Sequence, residues 1–345
     1  MKGGRWLLCL GLIAALGGCK GNSPRDEKDE VVVYTSVDDI FVRPITERFQ
    51  RETGIEVRLV TDTEETKSTG LLNRLIAEKD RAQADVFWSG DPVRAAILKA
   101  RGISAAYHSP NAEGMPVDFN DPEGHWQALS ARARVIIYNK NLVPPGEEPR
   151  TLDAFLDSRW KGKACLANPL FGTSSMHAAA LFSVWGDDAA KAFFEEMTAN
   201  EVTMLSSNGE VKRGVAAGDF AFGLTDTDDA SVAINEGKPV GVLYPDREGM
   251  GTLIIPNAAV LIDGGPNPGN GRRFIDFLLT SEVEEALARS EAAQMPLRPG
   301  VPVPPAFVRL QDIRAMQVDY GDLAPRLDEL SRGYLKEWAA KNADR

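Results

Sequence analysis

The chain has 345 residues, with 50 acidic against 39 basic side chains and a formal charge of −11 at pH 7. So acidic a balance argues against nucleic acid or an anionic membrane surface as a partner, because phosphate binding is driven by Lys and Arg. The three cysteines are Cys9, Cys19 and Cys165. Only the last falls in the body of the chain, so neither an intramolecular disulfide nor a Cys-based zinc site is expected there.

The first element is an export signal. Lys2 and Arg5 precede the apolar run from Trp6 to Leu16, which closes on Gly17 and Gly18. A basic start, a short apolar core and small residues at the cut mark a secretory leader over residues 1–18, too short to span a bilayer comfortably. Leu16-Gly17-Gly18-Cys19 resembles the bacterial lipobox, which implies lipidation at Cys19 and contact with the membrane through that anchor alone. Residues 19–30 carry nothing apolar that could pack and read as a flexible tether. Removal of residues 1–18 takes the formal charge from −11 to −13.

The body opens with Val31-Val32-Val33-Tyr34-Thr35-Ser36, a continuous apolar run of the kind buried in parallel sheets. Ile40, Phe41, Ile45 and Phe49 mark a helix that Gly54 stops. A strand at Ile55–Val60, a helix around Leu71, Leu72, Leu75 and Ile76, and a strand at Ala84–Trp88 follow. Pro92 opens the next helix, Val93–Ala100. Strands alternating with helices at this spacing predict an α/β fold with a largely parallel sheet, and the length favours two lobes. The strand Ala133–Asn139 reads as the first crossing between them and the run Thr252–Ile262 as the return. Lobe 1 then comprises residues 31–135 and 258–345, and lobe 2 residues 136–257. The C-terminal helices are expected to pack back on lobe 1, the last carrying a stripe of Leu327, Leu330, Tyr334 and Trp338.

Several segments together resemble the type II periplasmic binding proteins, in particular the ferric-binding and related family-1 extracellular solute-binding proteins. They run from Tyr34-Thr35-Ser36 through Glu52–Val57, Glu65–Leu75 and Ala84–Gly90 to Gly172-Thr173-Ser174-Ser175 and Phe222–Ala230. The resemblance covers residues 31–300. It implies two lobes joined by crossover strands that close on a small ligand, with an ABC permease as partner, a monomeric state and no cofactor. The ligand would meet strand C-termini and helix N-termini at the cleft.

On that frame Ser36 ends the first strand and faces the cleft. Lys67, Ser68 and Thr69, with Glu64 just before them, open the Leu71 helix. Ser89 and Gly90 follow the Trp88 strand, and Gly90 allows close backbone approach. Gly172, Thr173, Ser174 and Ser175 precede a helix whose free N–H groups suit an anion, and His177 lies one turn further in. Asn208 belongs to a polar wall at Ser206–Gly209. Asp226, Asp228 and Asp229 follow a buried strand, and three carboxylates within four positions suit a hard cation or an amine. Iron-binding members typically carry adjacent tyrosines where this chain has Asp228 and Asp229. The resemblance implies Fe(3+) with a small anion as the cargo, and the missing tyrosine pair opens the alternative of a phosphonate or another small organic solute. No nucleophile elbow, zinc motif or Walker loop supports an enzyme, and a receptor-coupled sensor would use the same trap.

Overall fold

The computed structural model describes Met1 and residues 29–62, 69–304 and 308–343. The expected leader, Cys19, nearly all of the tether, and Glu64, Lys67 and Ser68 lie outside the described residues.

Strand β1 (Glu30–Thr35) leads through helix α1 (Asp39–Thr53) to β2 (Glu56–Thr61). Gly54 ends α1 in the left-handed region at φ 75°, as its position predicts. Helix α2 (Thr69–Ala77), strand β3 (Val86–Ser89), helix α3 (Pro92–Ala100), strand β4 (Ser104–Ala105) and the long strand β5 (Gln127–Asn139) complete the first pass. The second half runs β6 (Ala164–Ala167), α4 (Gly172–Trp185), α5 (Asp187–Ala199), β7 (Thr203–Leu205), α6 (Asn208–Ala217), β8 (Phe222–Asp226), α7 (Thr227–Asn235) and β9 (Val240–Leu243). The chain then returns along β10 (Ile254–Ile262) to α8 (Pro268–Leu278), α9 (Ser281–Arg289), α10 (Tyr320–Arg332) and α11 (Tyr334–Asn342).

The sheet order is β2-β1-β3-β10-β5-β8-β6-β7, with β4 on β10 and β9 on β5. In the first half β1 is parallel to both β2 and β3. In the second, β6 is parallel to both β7 and β8. Strand β5 belongs to both halves. Its residues Gln127–Ala133 pair with β10, and Arg134–Asn139 pair with β8 and β9. The change of partner falls where the Arg134 N–H donates to the Leu253 carbonyl, close to the expected crossing. Nearly every residue of β5 and β10 is buried, so the apolar runs Val135–Ile137 and Ala258–Ile262 follow from burial on both faces.

The C-terminal segment departs from expectation. The apolar stripe is shared by two helices, because the chain breaks at Gly333 between α10 and α11. Helix α10 packs against α3 in the first lobe and α4 in the second, and α11 approaches β7 in the second. The cause is an aromatic cluster: Phe194 sits 5.1 Å edge-on from Trp338 and 6.2 Å from Tyr334, and Phe182 lies 5.6 Å from Tyr334. The Trp338 indole N–H also donates to the Phe194 carbonyl at 2.9 Å. Residues 334–342 thereby lie against α4, α5 and β7 of the second half.

Trp338 is 1% exposed. Trp338→Ala is expected to cost about 3–5 kcal/mol, read as a fall in the urea midpoint of unfolding.

Candidate functional site

Both lobes turn the carboxyl ends of parallel strands toward one cleft of about 340 Å³, within the size range of small-molecule sites. From the first lobe come Ser36, after β1, and Gly90, after β3; from the second come the starts of α4, α6 and α7. Each of these three helices follows a strand of the second half. Their first N–H groups have no partner within the helix, so three positive helix ends converge on one space.

On the first-lobe side the Gly90 N–H donates to Ser36 Oγ at 2.9 Å. A Cβ at Gly90 would stand 3.2 Å from an Arg132 nitrogen and 3.4 Å from Ser36 Oγ, so glycine permits this approach. On the second-lobe side Thr173, Ser174 and Asn208 form a closed polar set. Thr173 Oγ1 donates to Asp226 at 2.6 Å, Asn208 donates to Thr173 Oγ1 at 2.9 Å, and Ser174 Oγ donates to Asn208 at 3.3 Å.

Two arginines on β5, absent from the residues expected of the site, hold this set. Arg132 and Arg134 are two apart on one strand and so project from the same face. Arg134 donates to Asp226 at 2.8 Å, Asn208 at 2.9 Å and Ser174 at 3.0 Å. Arg132 reaches Asp226 and Asp228, each at 3.2 Å, and the Gly90 carbonyl at 2.5 Å. Burial alone would raise the Asp226 carboxyl, but Arg134 and Arg132 outweigh it and hold its pKa below the usual carboxylate value. Burial likewise works against the Arg132 charge, and Asp228 and Asp226 more than offset it. The signal was present in the sequence as Arg132-Ala133-Arg134 within a strand that carries no other charge. Charges there must be paired.

Asp226, Asp228 and Asp229 do meet at the cleft, but none stands open to a cation. Asp226 is shared by Arg132 and Arg134, and Asp228 pairs with Arg132. Asp229 accepts from Thr225 at 3.2 Å and lies 3.5 Å from Lys212. Among the described residues no group of three or more His, Cys, Asp or Glu side chains is arranged to hold a metal ion. In this arrangement the charge of the three carboxylates is met by protein cations.

The remaining expected residues divide. Ser36, Gly90, Gly172, Thr173, Ser174 and Asn208 line the cleft. Ser89 does not, because its hydroxyl turns back to the Asp91 carbonyl at 2.6 Å. Ser175 is buried behind the wall, where it accepts from Arg94 at 2.7 Å. Thr69 begins α2 away from the cavity lining. His177 does not reach the cleft; it lies beside a small apolar cavity with Phe155, Leu181 and Phe194. Lining residues that were not anticipated include Asn168, Lys212 and Arg213. No tyrosine lies among the lining residues described.

Two hinged halves of a mixed sheet, joined through β5 and β10 and enclosing a polar cleft at strand C-termini, define a type II periplasmic binding protein. The chain belongs to the family described as bacterial extracellular solute-binding protein, whose model matches residues 45–315. Members of this family capture a ligand outside the cytoplasm and deliver it to a permease; they are solute-binding proteins rather than enzymes. The chain is 28% identical to "Iron uptake protein A1" of Synechocystis sp. over 87% of its length and 85% of the relative's. It is 27% identical to a "Putative 2-aminoethylphosphonate-binding periplasmic protein" of Salmonella typhimurium, covering 82% and 84%. The fold matches the ferric binding protein from Campylobacter jejuni with a TM-score of 0.78 at 20% identity, over 89% of this chain and 99% of that one. It also matches the Trichodesmium protein solved with iron and citrate ligands, with a TM-score of 0.73 at 21% identity, over 91% and 99%.

Burial pushes the His177 imidazole down to about 3, with the Arg134 charge acting in the same sense. The unfolded chain, with an ordinary His near 6.5, therefore takes up a proton in acid that the folded chain refuses. This contribution is complete above about pH 6.5 and is lost as pH falls toward 3. Between pH 6 and 4.5 it should lower stability by up to about 1.4 kcal/mol per pH unit, against an opposite contribution from Asp246, whose carboxyl burial raises to about 6. Urea unfolding of the native chain and of His177→Leu across that window checks this; the difference in stability between the two should shift by that amount, the variant losing less on acidification.

Proposed function

We propose that the chain is the capture component of an ABC importer, working outside the cytoplasmic membrane, and that its cargo is ferric iron carried as a complex with a small oxyanion. The observation that carries this reading is the charge arrangement of the cleft. The N-termini of α4 and α6, the Ser36 hydroxyl and the Arg213 cation line the cleft and suit anionic oxygen. Asp226, Asp228 and Asp229 are already paired with protein cations. Iron(III) is a hard ion that requires anionic oxygen ligands, and a complex would bring its own. In this reading the protein grips the complex through its anion, and Ser36, Gly90, Gly172, Thr173, Ser174 and Asn208 make the contacts. The iron-binding names of relatives and of the iron–citrate structure support iron as the metal. Lipidation at Cys19 would keep the trap beside its permease, and hinge closure at β5 and β10 would commit the cargo.

A second reading has its own support. The same anion-binding wall would hold an organic phosphonate without metal, and the relative named for 2-aminoethylphosphonate is 27% identical.

Mass spectrometry of gently purified protein, begun after the lipidation site and compared between native and denatured states, tests the two. Retained mass equal to iron plus a small anion, with matching iron by elemental analysis, is the expected outcome. A retained organic phosphonate with no metal would replace iron with the second reading.

A further inference from the structure

Arg132 occupies an unusual place. It stands on the strand common to both lobes, is 7% exposed, and lines the cleft. One guanidinium nitrogen donates to the Gly90 carbonyl of the first lobe, and another lies between Asp226 and Asp228 of the second. Its third nitrogen, Nε, is buried without a hydrogen-bond partner. Asp226 does not depend on Arg132 for neutralisation, because Arg134 pairs with it at 2.8 Å. What Arg132 adds is a second positive charge, set between two acids at the edge of the ligand space.

We propose that Arg132 is the specificity-determining residue of the cleft, a resident cation that fills the position a bare metal ion would take between Asp226 and Asp228. Two carboxylates that already share a buried guanidinium have little left to offer an incoming cation, and evicting the guanidinium would strand its charge. The same charge favours a ligand that arrives as an anion or inside an anionic complex. A guanidinium satisfies two carboxylates and a carbonyl through its fixed fork, which the single point charge of a lysine does not. This inference rests on the capture role proposed above and not on which anion is carried.

The test uses terbium(III) alone as the probe, followed by calorimetry on ligand-stripped protein. The native chain should show no saturable site in the cleft. Arg132→Gln should gain one, at least tenfold tighter than any native binding, and adding Asp228→Asn to that variant should abolish it. Arg132→Lys reports whether a point charge alone suffices, with binding between the two expected. Native protein that binds terbium as tightly as Arg132→Gln, with binding lost in Asp228→Asn, would overturn the inference. So would a folded Arg132→Gln that gains nothing, the fold being checked by circular dichroism. Should Arg132→Gln not fold, Asp228→Asn in the native background carries the test. Freeing Arg132 from one acid should enlarge the rise in melting temperature produced by inorganic phosphate, and no enlargement would overturn the assignment. Failure of the iron reading in the mass measurement leaves these outcomes unaffected.

Discussion

The cleft depends on one buried interaction, the pairing of Arg132 and Arg134 on β5 with Asp226 at the end of β8. Taking these charges out of water costs several kcal/mol per ion, and only close pairing with further hydrogen bonds offsets it. The partners here are numerous. Thr173 and Asn208 complete the shell of Asp226, and Ser174 and the Leu224 carbonyl accept from one terminal nitrogen of Arg134. Because those residues open α4 and α6, the network also fixes the mutual position of the helix ends that face the ligand. Loss of one member leaves an uncompensated charge in a dry site, which makes the whole wall cooperative.

The first lobe meets this wall through polar contacts of its own. Arg94 on α3, 2% exposed, crosses to the start of α4 and donates to Ser175 at 2.7 Å and to the Gly172 carbonyl at 3.3 Å. Arg132 makes the corresponding link to Gly90. Both lobes are thus held at the ligand wall by arginines that reach backbone carbonyls. Such contacts are directional and reform readily, which suits a hinge better than an apolar seam would.

Much of the fold was legible because its strands are long apolar runs closed by local signals. Val31–Thr35, the Gly54 stop and the Pro92 helix start all rest on residues within a few positions of the feature they create. The cleft was legible to the extent that ligand sites in such folds sit at strand ends, which placed Ser36, Gly90, Thr173 and Asp226 together. Side-chain direction was not. Ser89 and Ser175 hold the expected positions, yet one closes a local turn and the other answers an arginine 81 residues earlier in the chain. The role of Asp226 was obscured for the same reason, since its partners on β5 lie 92 and 94 residues away. Local spacing carries no record of such pairs. Two arginines inside a strand otherwise free of charge show only that partners must exist. The break at Gly333 was likewise hidden, because an apolar stripe of helical period continues across it.

The split of the C-terminal segment bears on mechanics. Helix α10 touches both α3 and α4, while α11 is fastened to the second lobe by Trp338 and its aromatic neighbours. A rotation of one lobe against the other must therefore slide α10 over α3 or carry it away. A helix pair tied to both halves would act as a strap on any swing of the jaws. How far the mouth gapes, and how quickly it surrenders its contents, would then depend partly on residues that never meet the cargo.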